Sequence, residues 1–175
     1  MADFVSHYLF GELALEAFPT IVQLAAARRP AAFNWGLQGP DPLFYRGLAF
    51  GSPLHKYGNR MHSERIDELF FAFSRAVNRM TGDGRAIAEA YFYGFLCHYA
   101  LDSAIHPYVY CRQQECLETD ARLNASAVHC QIESDIDYAL YDREYHAPVT
   151  DFDPDKYYQL ADGELAVLAV LLHYL

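Results

Sequence analysis

The sequence predicts an all-α protein, on three observations. Strand-like alternation of apolar and polar residues is absent throughout. Ile66, Leu69, Phe70, Phe73, Val77 and Met80 recur at helical spacing, the stripe of an amphipathic helix. The stretch Ala90–Pro107, AYFYGFLCHYALDSAIHP, is apolar on nearly every side, as a helix enclosed by others must be. A chain of 175 residues, with 53% hydrophobic and 21% charged residues, has the material for a sizeable core. We therefore read residues 1–175 as one helical domain.

Charge and composition narrow the function. The net charge of −10 argues against a stable nucleic-acid complex, which needs cationic side chains to displace counterions from phosphates. It leaves room for an enzyme acting on a single phosphate, because bound cations would invert the local field. The N-terminus lacks a basic n-region, and Asp3, Glu12 and Glu16 interrupt its apolar residues, unlike a signal peptide. The longest apolar run, Leu165–Leu172, is far short of the roughly 20 residues a membrane span needs. A cytoplasmic protein is expected. Its four cysteines (Cys97, Cys111, Cys116, Cys130) then read as free thiols, and no CxxC pair suggests a ribbon or redox site.

In chain order, Asp3–Arg29 reads as helix, kinked or restarted at Pro19. His7 falls one residue from its apolar face and by itself suggests a partly buried core histidine. Pro30–Pro53 is rich in proline and glycine and reads as a long irregular loop. At its centre, GPDP holds Asp41 between two prolines, so its backbone has few alternatives. Asn59–Met80 reads as one amphipathic helix with His62 extending the inward stripe at its start, His55 in the loop before it and TGDG (81–84) ending it. Arg85–Ile105 is the central helix, with Ile87, Tyr91, Gly94, His98, Asp102 and Ile105 on one face. Pro107 predicts its end near Ile105, which would swing His106 off that face toward a different ion. Tyr108–Thr119 then reads as a connector. Leu123–Tyr145 is the next helix, capped by Asn124, with Val128, Ile132, Ile136, Ala139 and Leu140 as its apolar stripe and His129, Glu133 and Asp137 on an adjacent line. Asp151–Lys156 is a turn with a helix start, and Tyr157–Leu175 a last helix, still strongly apolar where the sequence stops, as if further helices followed.

The chemistry concentrates in residues spaced four apart. His98, Asp102 and His106 follow one another at that interval, and so do His129 and Glu133. On a helix this spacing sets side chains about one turn apart on one side, within reach of a single cation. A charged Asp102 in an otherwise apolar helix is costly unless paired or bound to metal. With His7, Asp41 and His62, the candidates number eight, too many for one ion and suited to two or three. Imidazole and carboxylate donors without thiolates fit catalytic zinc, with iron or manganese as alternatives. Cys97 and Cys130 adjoin candidate ligands, but neighbouring helical positions diverge by about 100°, so both read as small core residues.

The order GPDP, MH (61–62), HYALDSAIHP (98–107) and HCQIE (129–133) resembles the zinc-dependent phospholipases C of bacteria. Fungal single-strand nucleases share that fold and a similar three-zinc site. The resemblance implies a multi-helix bundle around a multinuclear zinc site. Asp41, His62 and His98 would hold one ion, with Asp102 bridging to a second. His106, His129 and Glu133 would hold another. His7 would serve the remaining ion with Asp102 and, in secreted members, the chain's own N-terminus, where a tryptophan stands; this chain begins MADFVS. The implied activity is phosphodiester hydrolysis by metal-activated water, on a phospholipid or small phosphate ester, with Asp41 orienting or deprotonating the water. Phe44, Tyr45 and Tyr57 are candidates to line a head-group pocket. A nuclease or nucleotide phosphodiesterase, and an inactive metal-stabilised scaffold, are the alternative functions.

Overall fold

A computed structural model describes residues 4–45 and 54–174. Helices α1 (Phe4–Leu15), α2 (Thr20–Arg28), α3 (Pro30–Leu37), α4 (Pro42–Tyr45), α5 (Leu54–Ser63) and α6 (Ile66–Arg79) come first. They are followed by α7 (Gly82–Thr119), α8 (Ala125–Tyr145), α9 (Pro154–Tyr158) and α10 (Glu164–His173), with a 3-10 turn at Val149–Asp151. Among the described residues there is no strand, and the protein is an all-α bundle. No helix among them is long and apolar enough to cross a membrane.

Helix α7 is the axis. Its 38 residues extend about 57 Å at 1.5 Å per residue. Helices α1, α2, α3, α6, α8 and α10 all pack on it. Its buried face carries Ile87, Tyr91, Gly94, His98 and Asp102, and Phe95 and Cys97 are buried beside them. Phe33 and Leu37 of α3, Phe73 and Val77 of α6, and Leu168 and Leu171 of α10 complete the main core. A second cluster joins Val5, Tyr8 and Leu9 of α1 to Tyr141 of α8.

The expected stop at Ile105 does not occur: α7 runs through Pro107 to Thr119, so Tyr108–Thr119 is helix and not a connector. A proline inside a helix removes one hydrogen bond to the residue four earlier and crowds its carbonyl. Here Pro107 and Ser103 are both exposed, so that carbonyl can turn to water. Val109, fully buried just beyond, holds the continuation against the bundle.

Other boundaries also move. Pro30 and Pro42 each open a helix, where a missing N–H costs nothing, so much of the stretch read as loop is α3 and α4. Its remainder, 46–53, lies outside the described residues. The single helix expected over 59–80 is two, broken where Arg65 takes a left-handed backbone (φ 50°). His55 therefore lies on α5, and His62 near the end of that helix. Gly82 starts α7 and does not terminate α6. The helix start within 151–156 is α9, which ends at Tyr158, and the last helix resumes as α10 after Gly163, whose φ of 84° suits glycine. Asn124 caps α8 as predicted, its side chain accepting from the Ala127 N–H at 3.0 Å.

Candidate metal centre

The site begins with two glycines. Where α3 crosses α7, a Cβ on Gly94 would lie 2.1 Å from the Phe33 carbonyl, and one on Gly36 would lie 2.1 Å from the Tyr91 carbonyl. The backbones touch because neither residue has a side chain. Helix α3 thus delivers the Gln38–Pro42 turn directly onto His98. Gly39, at φ 53°, is pressed so close to the His98 ring that a Cβ there would overlap it. The Gly39 N–H donates to Gly36 O at 2.8 Å, and the Asp41 carbonyl accepts from the Phe44 N–H at 2.8 Å. Asp41 is held on this stiff turn.

The structure brings the eight candidate residues into three groups, each with donor atoms within 4.8 Å of one another. His7, His98 and Asp102 form the most buried one. His7 Nε2 is 3.3 Å from Asp102 Oδ1, His98 Nε2 is 3.2 Å from Asp102 Oδ2, and the two rings stack at 4.3 Å. The second joins Asp41, His62 and His98. His62 Nε2 is 2.9 Å from Asp41 Oδ1 and 3.4 Å from His98 Nε2. The third joins His106, His129 and Glu133, whose Oε1 is 3.6 Å and 3.0 Å from the two Nε2 atoms. Asp102 links all three, with His62 at 3.8 Å and His106 at 3.9 Å. His106 stays on α7 and still reaches its group, because α8 packs on α7 there.

The far sides of the rings decide which atoms face inward. His62 Nδ1 lies 2.9 Å from Gly58 O, and His98 Nδ1 lies 3.2 Å from Leu37 O. A carbonyl oxygen can only accept, so each Nδ1 carries the proton and donates it. When neutral, both rings therefore turn a bare Nε2 lone pair inward, toward each other and toward two carboxylates. His129 is arranged alike, with Nδ1 at 3.0 Å from Gln113 Oε1. Lone pairs and carboxylates aimed at one point call for a cation or an added proton. Oxygen acceptors behind imidazoles are also how zinc-binding histidines are held. Asp102 Oδ1 is buried, and among the described residues it has no hydrogen bond of good geometry. Nitrogen and oxygen donors, bare lone pairs and a buried carboxylate oxygen fit zinc at a catalytic site.

The electrostatics agree. Asp102 is 7% exposed, and burial alone would raise its pKa. The His7 and His98 imidazoles outweigh burial and hold it far below the usual carboxylate range. Burial likewise opposes ionisation of Glu133, but His106 and His129 bring it down to about 2. For His62, burial lowers the pKa, while Asp41 and the Gly58 carbonyl raise it further, for a net increase. The imidazoles thus keep Asp102 and Glu133 anionic against the cost of burial.

Other expectations change. His7 is fully buried inside the cluster and is not a half-buried core residue. On α8 only Asp137 and Tyr141 are buried; Val128, Ile132, Ile136 and Leu140 of the apolar stripe are partly covered, as His129 and Glu133 are, and Ala139 is exposed. Cys97 is buried core as expected, whereas Cys130 is exposed. Phe44 lies 5.3 Å from the His62 ring, and Tyr57 is exposed. The side chain of Tyr45 and residues 1–3 lie outside the described parts. A cavity of about 330 Å³ lined by Glu12, Leu15, Ala26, Phe33 and Asn34 holds none of the donors.

The sequence places Asp137 on the line of His129 and Glu133 without a role, and assigns nothing to Gln113. Asp137 accepts hydrogen bonds from the Val5 and Ser6 N–H groups at 3.1 and 2.8 Å, clamping the start of α1 and so placing His7. Its position four residues beyond Glu133 was the available signal. Gln113 lies on the part of α7 past Pro107, in the stretch that the sequence reads as a connector.

A family model described as zinc-dependent phospholipase C matches residues 6–171. Neither a curated protein nor a solved structure of significant similarity was found. The match spans every donor residue and nearly the whole bundle, and the chain belongs to the zinc-dependent phospholipase C family.

Proposed function

We propose that this protein is a zinc-dependent phosphoric ester hydrolase of the phospholipase C type, cleaving a phosphodiester in a phospholipid or small phosphate ester. The observation that carries this is the set of imidazoles whose Nδ1 atoms are tied to oxygen acceptors, leaving Nε2 lone pairs converging with Asp41, Asp102 and Glu133. Two to three zinc ions suit the three donor groups, with iron or manganese as substitutes. Asp41, His62 and His98 would hold one, His106, His129 and Glu133 another, and His7 with Asp102 a third, Asp102 bridging. Bound zinc supplies positive charge to the phosphoryl oxygens and lowers the pKa of water to near neutrality.

The chain's own residues do the rest. The GPDP turn fixes the Asp41 carboxylate, which we assign to orient the attacking water and accept its proton. The Gly58 and Leu37 carbonyls keep His62 and His98 in the Nδ1–H tautomer, so each would turn its Nε2 lone pair to the ion it holds. Phe44, beside His62, offers an apolar wall to the substrate. The net charge of −10 favours a small ester over a nucleic-acid strand.

The test is elemental analysis of protein purified without added metal or chelator, followed by turnover of phosphatidylcholine vesicles and of a chromogenic phosphodiester. Two to three zinc ions per chain with chelator-sensitive hydrolysis is the expected result. Metal without turnover on any phosphate ester would make the protein a metal-stabilised scaffold. Preference for single-stranded nucleic acid would make it a nuclease. A metal content near zero in folded protein would overturn the metal centre itself.

A further inference from the structure

The third donor group is held differently from the other two. His62 and His98 are backed by main-chain carbonyls, which can only accept a hydrogen bond. His129 is backed by a side-chain amide, Gln113 Oε1 at 3.0 Å. An amide can present either its oxygen or its NH₂ group to the ring. Facing oxygen, Nδ1 holds the proton and Nε2 turns a lone pair toward Glu133 and His106. Facing NH₂, Nδ1 must accept, the proton moves to Nε2, and Nε2–H donates to Glu133 Oε1 only 3.0 Å away. That arrangement is a satisfied hydrogen bond with no lone pair for a metal.

We propose that Gln113 is a positioning residue that selects the metal-binding tautomer of His129. It lies seven residues beyond His106 on α7, so both reach the same part of α8. Tyr110, three residues before it, rests against both imidazoles at 5.6 and 5.2 Å. The part of α7 past Pro107 thereby grips His129 through its ring face and its Nδ1. Gln113 is only half-buried and contributes nothing to the apolar core, so its removal leaves the bundle standing.

This rests on the metal centre proposed above, and the experiment separates the two. Metal-free wild type, Gln113→Leu and Gln113→Glu are titrated with cobalt(II), followed by visible absorption, and the ring tautomer of His129 is read from its ¹⁵N shifts. Wild type should take up cobalt and show Nδ1–H. Gln113→Leu should bind one cobalt about 10- to 100-fold more weakly, with the others unchanged and a mixed tautomer. Gln113→Glu, which presents only acceptors, should bind it at least as tightly as wild type. Unchanged cobalt affinity and tautomer in Gln113→Leu would overturn the role of Gln113 while the metal centre stands. A wild type that takes up no cobalt would overturn the metal centre and this role together. If the leucine variant also loses thermal stability, the glutamate variant decides: restored affinity supports the positioning role, and unrestored affinity overturns it.

Discussion

At the scale of single residues, Asp102 holds the cluster together. Its two oxygens lie within 4 Å of His7, His62, His98 and His106, which come from α1, α5 and α7. Asp102→Asn keeps the shape and removes the charge. Hydrolysis should fall by more than about 100-fold and metal content should drop by more than one ion, as read by turnover and elemental analysis on the same preparation. Full metal content with an unchanged rate would show that Asp102 does not bridge. The cysteines give a second contrast. Burial pushes the Cys97 thiol up to about 12, whereas Cys111 and Cys130 are exposed. Iodoacetamide at neutral pH should label Cys111 and Cys130 in native protein and reach Cys97 only after unfolding, which peptide mass mapping would reveal.

Elements turn these residues into a site. The crossing of α3 and α7 depends on Gly36 and Gly94, and a methyl group at either meets main chain, which cannot step aside. Gly94→Ala should therefore cost about 3 kcal/mol or more and lower the melting temperature by roughly 6–12 °C. The same shift would carry the Gln38–Pro42 turn off His98, so metal content should fall with stability. A melting temperature within a degree of wild type would mean that the two helices can part without cost. Helix α8 acts through its polar line, with His129 and Glu133 in the cluster and Asp137 clamping α1. The apolar stripe beside that line is only partly covered, because the cluster draws polar side chains of α8 inward.

For the whole molecule, the cluster links stability to pH with opposite signs in two states. Without metal, His62 has a raised pKa and is stabilised by a proton shared with Asp41. Stability from that source is complete below the ordinary histidine value of 6.5 and is lost as pH rises through the higher folded value. Glu133 works the other way: with a folded value of about 2, its contribution is present above its ordinary 4.5 and is lost as pH falls toward 2. With zinc bound, the imidazoles must be deprotonated, so the gain from metal grows as pH rises. Thermal unfolding from pH 5.5 to 8.5 should show chelator-treated protein losing stability and zinc-loaded protein gaining on it. Parallel curves would mean that the histidines do not bind the metal.

Much was legible in the sequence because it follows from local periodicity. Helical class, the buried face of α7, the Asn124 cap and the four-residue spacing of histidines and carboxylates all depend on neighbours a turn apart. The motifs Gly39–Pro42, His98–Pro107 and His129–Glu133 were enough to suggest the family. What the sequence could not decide depends on distant partners. Whether a helix passes through Pro107 depends on solvent at Ser103 and on the burial of Val109, neither of which is local. That two helices can touch at Gly36 and Gly94 is a property of the pair. Which nitrogen of His98 or His129 faces inward depends on an oxygen 61 or 16 residues away along the chain. Residue types and spacing determined what chemistry the chain can perform. Tertiary structure alone decided which lone pairs converge, because that requires rings from α1, α5, α7 and α8 to meet and, for His98 and His129, acceptors brought in from other helices.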